Sequence, residues 1–151
     1  MKLLFFHLLQ GDNENNISKK KIHPELELKS FTKNNKLSGS TMLFLGRVRD
    51  YRNKKKIVSM EIEFYEKMAL FQTKKVLNNL NKFNKINDYL IMHRFGKLFP
   101  GENIILILVA SDHRKQSSYF LNKIVDYFKT QITFWKKENF LKESRWVKPS
   151  D

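Results

Sequence analysis

Residues 86–110 read INDYLIMHRFGKLFPGENIILILVA, and this stretch decides the fold class. Its last eight residues, NIILILVA at 103–110, are apolar at almost every position. That run has the length of a strand and falls well short of the ~20 residues a membrane helix needs. It reads as the central strand of a sheet. Pro100-Gly101 is a turn signal, so residues 86–95 and 103–110 read as the two arms of a hairpin.

Downstream, Ser111-Asp112-His113-Arg114 opens a helix over 115–129. Phe120, Leu121, Ile124, Val125 and Phe128 form its buried stripe, and Asp112 or Ser111 is placed to cap it. Upstream, Ala69, Leu70, Val76, Leu77, Leu80 and Phe83 make a second stripe, on a helix over 67–83. Residues 57–65 (IVSMEIEFY) alternate, with Val58, Met60, Ile62 and Phe64 facing one way. Residues 41–49 (TMLFLGRVR) form a strand whose Gly46 marks a bulge or a close approach of backbone to ligand. Residues 3–9 form a short strand, and residues 11–16 are turn-like. Residues 18–36 show no clear period, 50–56 (DYRNKKK) form a basic loop, and the tail from 130 carries no assigned element. The order β, β, β, α, β, β, α and tail is an α+β arrangement. At 151 residues it is expected to form a single domain over 1–151.

With 29 Lys and Arg against 15 Asp and Glu, the net charge is +14. That suits an anionic partner. A Lys-, Asn-, Ile- and Phe-rich composition of AT-rich coding accounts equally for much of it, so position must select the charges that matter. The chain has no Cys, which excludes disulfides, thiolate metal sites and a catalytic thiol of its own. Residues 1–10 lack a small-residue cleavage site, so no signal peptide and a cytoplasmic location are expected.

No P-loop, G-x-G-x-x-G or G-x-S-x-G pattern occurs. His7, His23, His93 and His113 have no H-x-x-x-H spacing, so no metal site is expected. His7 and His93 read as structural histidines in apolar strands. Cations, in contrast, gather at element ends. Arg47 and Arg49 are two apart and share a face. His113 and Arg114 stand where free N–H groups at a helix start favour an anion. Lys129 closes that helix, and Lys136 and Lys137 follow Phe134-Trp135. Each has an ordinary reading, as a solvated strand end or a complement to the helix dipole. Together they suggest one anion pocket, although periodicity cannot assemble them in space.

Five motifs occur in order: Phe44-x-Gly46-x-Val48-Arg49, Glu63-x-Tyr65-x-x-Met68, His93-Arg94-x-Gly96-x-Leu98-x-Pro100-Gly101-Glu102, Ser111-x-His113-Arg114 and Lys129-Thr130-x-x-x-Phe134-Trp135-Lys136-Lys137-Glu138. As an ordered set they resemble the large, catalytic subunit of molybdopterin synthase. The resemblance covers residues 39–148; residues 1–38 match loosely. It implies an α/β hammerhead-like fold with an additional antiparallel sheet. It also implies a sulfurtransferase of molybdenum cofactor biosynthesis, which converts cyclic pyranopterin monophosphate to molybdopterin by forming a dithiolene. The sulfur would arrive as the C-terminal thiocarboxylate of a small ubiquitin-like subunit, which fits a chain without Cys. No resident cofactor, metal, nucleic acid or membrane partner is implied.

By the same resemblance, the large subunit forms a homodimer inside a heterotetramer of two large and two small subunits. The substrate pocket would comprise Arg47, Val48, Arg49, His113, Arg114, Lys129, Lys136, Lys137 and Glu138. Lys129 and Lys136 match the catalytic lysines, and His113-Arg114 would reach into the neighbouring subunit's pocket. The family pattern Lys-Thr-Arg-x-Pro-Phe-Trp is broken here by Gln131 and Thr133. Those departures keep a non-catalytic scaffold of the same fold in view. The charge keeps a basic nucleic-acid-binding protein in view, without any RNP1, KH or C2H2 signature to support it.

Overall fold

The computed structural model describes residues 5–10, 21–83, 85–131 and 134–148. The turn-like stretch at 11–16 and the departure at Thr133 lie outside them. Strand β7 (Asn103–Ser111) runs between β2 (Ser40–Arg47) and β6 (Asp88–Leu98), antiparallel to both. Its continuous apolar run follows from burial on both faces. Ile105, Ile107 and Val109 pack with Phe120, Ile124 and Phe128 of α3 (Arg114–Thr130). Leu106, Leu108 and Ala110 turn the other way, against Ile22 and against Phe31 of α1 (Pro24–Asn34). Each such Leu or Ile removed from water contributes ~1.5–3 kcal/mol.

The 11-residue β6 joins two halves of the sheet. One edge pairs with β7. The other takes β1 (Phe5–Gln10), in parallel, at Leu90–Phe95, and then β5 (Ser59–Phe64) at Gly96–Leu98. Beyond β5 come β8 (Phe134–Asn139) and β9 (Ser144–Trp146), both antiparallel, giving the order β2-β7-β6-β5-β8-β9 with β1 beside β6. This mixture of helices with a largely antiparallel sheet is the α+β class expected from the element order. The hairpin at Pro100-Gly101 is present: the Glu102 N–H donates to the Phe99 carbonyl at 3.0 Å, and Gly101 sits at φ +84°. Pro then Gly at those two positions is what a turn with a positive φ at its third residue requires. The segment after β2 clamps onto this turn, with Gly101 N–H to Val48 C=O at 2.8 Å and Val48 N–H to Glu102 C=O at 2.9 Å.

The structure departs from the pattern reading in several elements. Residues without a clear period contain α1, started by Pro24, with Glu25 and Glu27 in its first turn and only Phe31 fully buried. The basic loop contains a hairpin of β3 (Tyr51–Arg52) and β4 (Lys55–Lys56), whose two turn residues, Asn53 and Lys54, both have positive φ. The tail contains β8 and β9. Helix α2 (Glu66–Phe83) buries Ala69, Val76, Leu77 and Leu80 as read, while the side chain of Phe83 lies outside the described residues. At the start of β5, Val58 is exposed and Ser59 is buried instead, accepting a hydrogen bond from Asn139 at 3.1 Å. Neither Ser111 nor Asp112 caps α3. The N-cap is His113, whose N–H donates to Gln116 Oε1 at 3.3 Å. Ser111 Oγ donates to the His113 carbonyl, and Asp112 accepts from Asn87. No helix among the described residues is long and apolar enough to cross a membrane.

Candidate active site

Alternation along β8 places Phe134, Lys136 and Glu138 on one face. That face, the C-terminal turn of α3 and the end of β2 enclose a cavity of about 500 Å³. Its cations are Lys129 from α3, Lys136 from β8, Arg47 and Arg49 from the end of β2 and the residues after it, Arg52 from β3, and Lys148. Gly46 lets the wall come close: a Cβ there would stand 2.7 Å from Ile105 Cγ2. The β2–β7 register slips between Gly46 and Arg47, so the glycine does mark a bulge.

The cations are not equivalent. Arg47 is held by the hairpin turn, donating from Nε and Nη2 to the Gly101 carbonyl at 3.1 and 2.7 Å. Arg49 has no hydrogen-bond partner among the described residues. Arg52 donates from Nη1 to both oxygens of Glu138 at 3.1 Å, with the two side chains only 10% and 1% exposed. Glu138 is thereby neutralised by a buried partner. Burial, and secondly the positive charge of Lys129, push the Lys136 amine below the ordinary lysine range.

His93 forms part of the same wall. Its ring stacks on Phe134 at 4.0 Å between centroids and on Phe128 at 5.9 Å. Nδ1 lies 2.8 Å from the Arg94 carbonyl, which can only accept, so Nδ1 carries the proton. Burial first, then the charge of Lys136, hold its pKa down to about 3 despite that hydrogen bond.

Of the residues named from the sequence, Arg47, Arg49, Lys129, Lys136 and Glu138 line this cavity. Val48 does not; it is buried in the core, with its backbone tied to the hairpin turn. Lys137 alternates to the other face of β8 and sits 5.7 Å over the Trp146 ring. His113 and Arg114 are exposed at the opposite end of α3. Fifteen residue steps separate Arg114 from Lys129, about 22 Å along a helix, so within one chain the two do not meet.

The model of the MoaE protein family matches residues 17–131. This chain belongs to the MoaE family. Among its relatives, the molybdopterin synthase catalytic subunit of Pseudomonas aeruginosa is 33% identical, over 82% of this chain and 83% of that protein. The subunit of Ralstonia nicotianae is 38% identical over 72% of this chain, which spans only 62% of that longer protein. The crystal structure of molybdopterin synthase from Staphylococcus aureus superposes with a TM-score of 0.77 at 25% identity, covering 94% of this chain and 96% of that one. A Helicobacter pylori chain, from a complex of subunits 1 and 2 of molybdopterin-converting factor, shares the fold (TM-score 0.74, 18% identity, 94% of this chain and 89% of that one).

The MoaE family is thus one of molybdopterin synthase catalytic subunits, enzymes of molybdenum cofactor biosynthesis. The family model starts at residue 17 and so takes in α1, which lies before the span of the five motifs. Three ionisable cavity residues of this MoaE chain, His93, Arg52 and Lys148, escape a reading of its sequence. His93 has the pattern of a core histidine, and Arg52 is one cation in a basic run. A signal for Arg52 exists: it directly precedes a pair that can turn a hairpin. Gln131, at the family's Arg position, also lines the cavity and ends α3, its N–H bonded to the Tyr127 carbonyl at 2.9 Å.

Proposed function

We propose that the cavity binds cyclic pyranopterin monophosphate and that Lys129 and Lys136 carry out two sulfur insertions that make the dithiolene. The observation that supports this most is the lysine pair itself, one amine depressed by burial and then by the charge of the other, in a cavity edged with arginines. The two lysines divide the work. An unperturbed lysine is neutral in only ~1 part in 2,500 at pH 7. Lys136, with its lowered pKa, offers a larger neutral fraction and serves as the proton acceptor. Lys129 acts as the ammonium that stabilises the negative charge developing as sulfur adds to each pterin carbon, where an oxygen leaves in exchange: once as the phosphate ester oxygen, which opens the cyclic phosphate to a monoester, and once as water. Water then cleaves the thioester, returning the donor's terminus as a carboxylate.

The chain has no Cys, so the sulfur comes from outside, as the C-terminal thiocarboxylate of a small ubiquitin-like subunit whose tail enters beside Lys129. Arg49, free of protein partners among the described residues, takes the substrate phosphate, for which a guanidinium supplies paired donors. A second copy of the chain supplies His113 and Arg114 to complete the pocket, in a heterotetramer of two large and two small subunits located in the cytoplasm. The test is reconstitution with a thiocarboxylated small subunit and an assay for dithiolene. Lys129→Ala and Lys136→Ala should each abolish product while leaving the complex assembled. Turnover of either variant at the wild-type rate would contradict the division of work between the two lysines.

A further inference from the structure

We infer that His93 is a positioning residue for Lys136: its Nε2 lone pair receives a hydrogen bond from Lys136 whenever that amine is protonated. This rests on Lys136 being the proton acceptor, as proposed above. The geometry is specific. Phe134 and Lys136 project from the same face of β8, and the Phe134 ring lies flat on the His93 imidazole at 4.0 Å. The Lys136 stem therefore begins one step along that face from the ring that covers His93, and both residues line one cavity. With Nδ1 occupied by the Arg94 carbonyl, Nε2 is the only ring nitrogen left to accept, and it has no protein partner among the described residues.

The surroundings explain why an imidazole stands there. Every other ionic side chain lining the cavity is either a cation (Lys129, Arg47, Arg49, Arg52 and Lys148) or the Glu138 carboxylate already held by Arg52. When Lys136 takes a proton it becomes a half-buried cation facing other cations, and Nε2 is the ring acceptor open to it. A carboxylate at position 93 would pin Lys136 in the ammonium form. A charged imidazole would repel it. A ring kept neutral by burial can hold the ammonium without locking it, and its contacts with Phe134 at 4.0 Å and Phe128 at 5.9 Å, together with the Nδ1 bond to the Arg94 carbonyl, fix its orientation.

The test is a titration of Lys136 in the full chain, followed by NMR of 13Cε-labelled lysine and assigned by comparison with Lys136→Arg. His93→Phe keeps the stacking and removes the acceptor. It should lower the Lys136 pKa by about one unit, a tenfold change in acid dissociation. His93→Gln, which restores an acceptor without the ring, should recover part of that shift. A thermal melt of each variant confirms that it is folded. If Lys136 titrates identically in the wild type and in folded His93→Phe, the assignment is wrong. If His93→Gln shifts Lys136 as far as His93→Phe, packing rather than the lone pair is responsible, and the assignment is again wrong. The titration needs neither substrate nor partner, so it stands or falls separately from the sulfur-transfer assay.

Discussion

Burial holds His93 neutral down to about pH 3, whereas an imidazole in the unfolded chain protonates near pH 6.5. Between those values the unfolded state binds a proton that the native state does not, so stability is lost as pH falls through this window. The contribution is up to ~1.4 kcal/mol per pH unit. Urea unfolding between pH 4 and 7 should show a shallower acid slope for His93→Phe than for the wild type; parallel slopes would mean that His93 titrates normally in the fold. At the same scale, Arg49 is expected to hold the substrate phosphate through a charge-assisted bond of ~1.5–3 kcal/mol. Calorimetric titration of Arg49→Ala should therefore show binding weakened by roughly 10- to 150-fold, with Arg49→Lys recovering only part. Neutralising the exposed Lys54 and Lys56 should leave it near wild type, and an equal loss there would point to diffuse charge. Arg47, Arg49 and Lys129 are legible in the sequence because cations at element ends are conspicuous, and Lys136 because it follows Phe134-Trp135 in a motif that resembles the family's. His93 is not, since a buried histidine in an apolar strand carries the same signature whether it faces a core or a cavity.

Elements with a strong period are legible, whereas β8 and the β3–β4 hairpin, which also line the cavity, are not. Helices α2 and α3 and strand β7 announce themselves because whole faces are apolar. Strand β8, FWKKEN, alternates just as strictly, but its inward positions after Phe134 are Lys136 and Glu138, polar because they line the cavity or pair with Arg52. The cavity has overwritten the hydrophobic pattern there. The β3–β4 hairpin is hidden for a different reason: its turn uses Asn53-Lys54 at φ 49° and 64°, where Asn-Gly is the usual signal. A left-handed lysine costs ~1–2 kcal/mol, partly offset in a glycine variant by added unfolded-state freedom of ~0.5–1 kcal/mol. Lys54→Gly should therefore stabilise the chain by up to ~1 kcal/mol, measured by thermal or urea unfolding; destabilisation would show the turn to be unstrained. Gly46→Ala should act in the opposite direction. Its new methyl would meet the branched Ile105 side chain at 2.7 Å, and overpacking of this kind costs ~1–3 kcal/mol.

At the scale of the whole molecule, α3 carries a division of labour. One end presents Lys129 to the cavity of its own chain, and the other exposes His113 and Arg114 about 22 Å away. The helical period read over 115–129 already implies that separation at ~1.5 Å per residue; what it does not disclose is where the far end docks. In the proposed dimer, two copies arranged about a twofold axis would place the far end of one α3 at the cavity of the other and make each pocket composite. The most direct measurement mixes two inactive proteins, one carrying Arg114→Ala and the other Lys129→Ala, lets subunits exchange, and assays dithiolene formation with thiocarboxylated small subunit. Each mixed dimer then holds one pocket with both lesions and one with neither. An equimolar mixture should recover about a quarter of wild-type activity, since half the dimers are mixed and each has one working pocket of two. No recovery, with exchange demonstrated by mass spectrometry, would contradict a pocket shared between subunits.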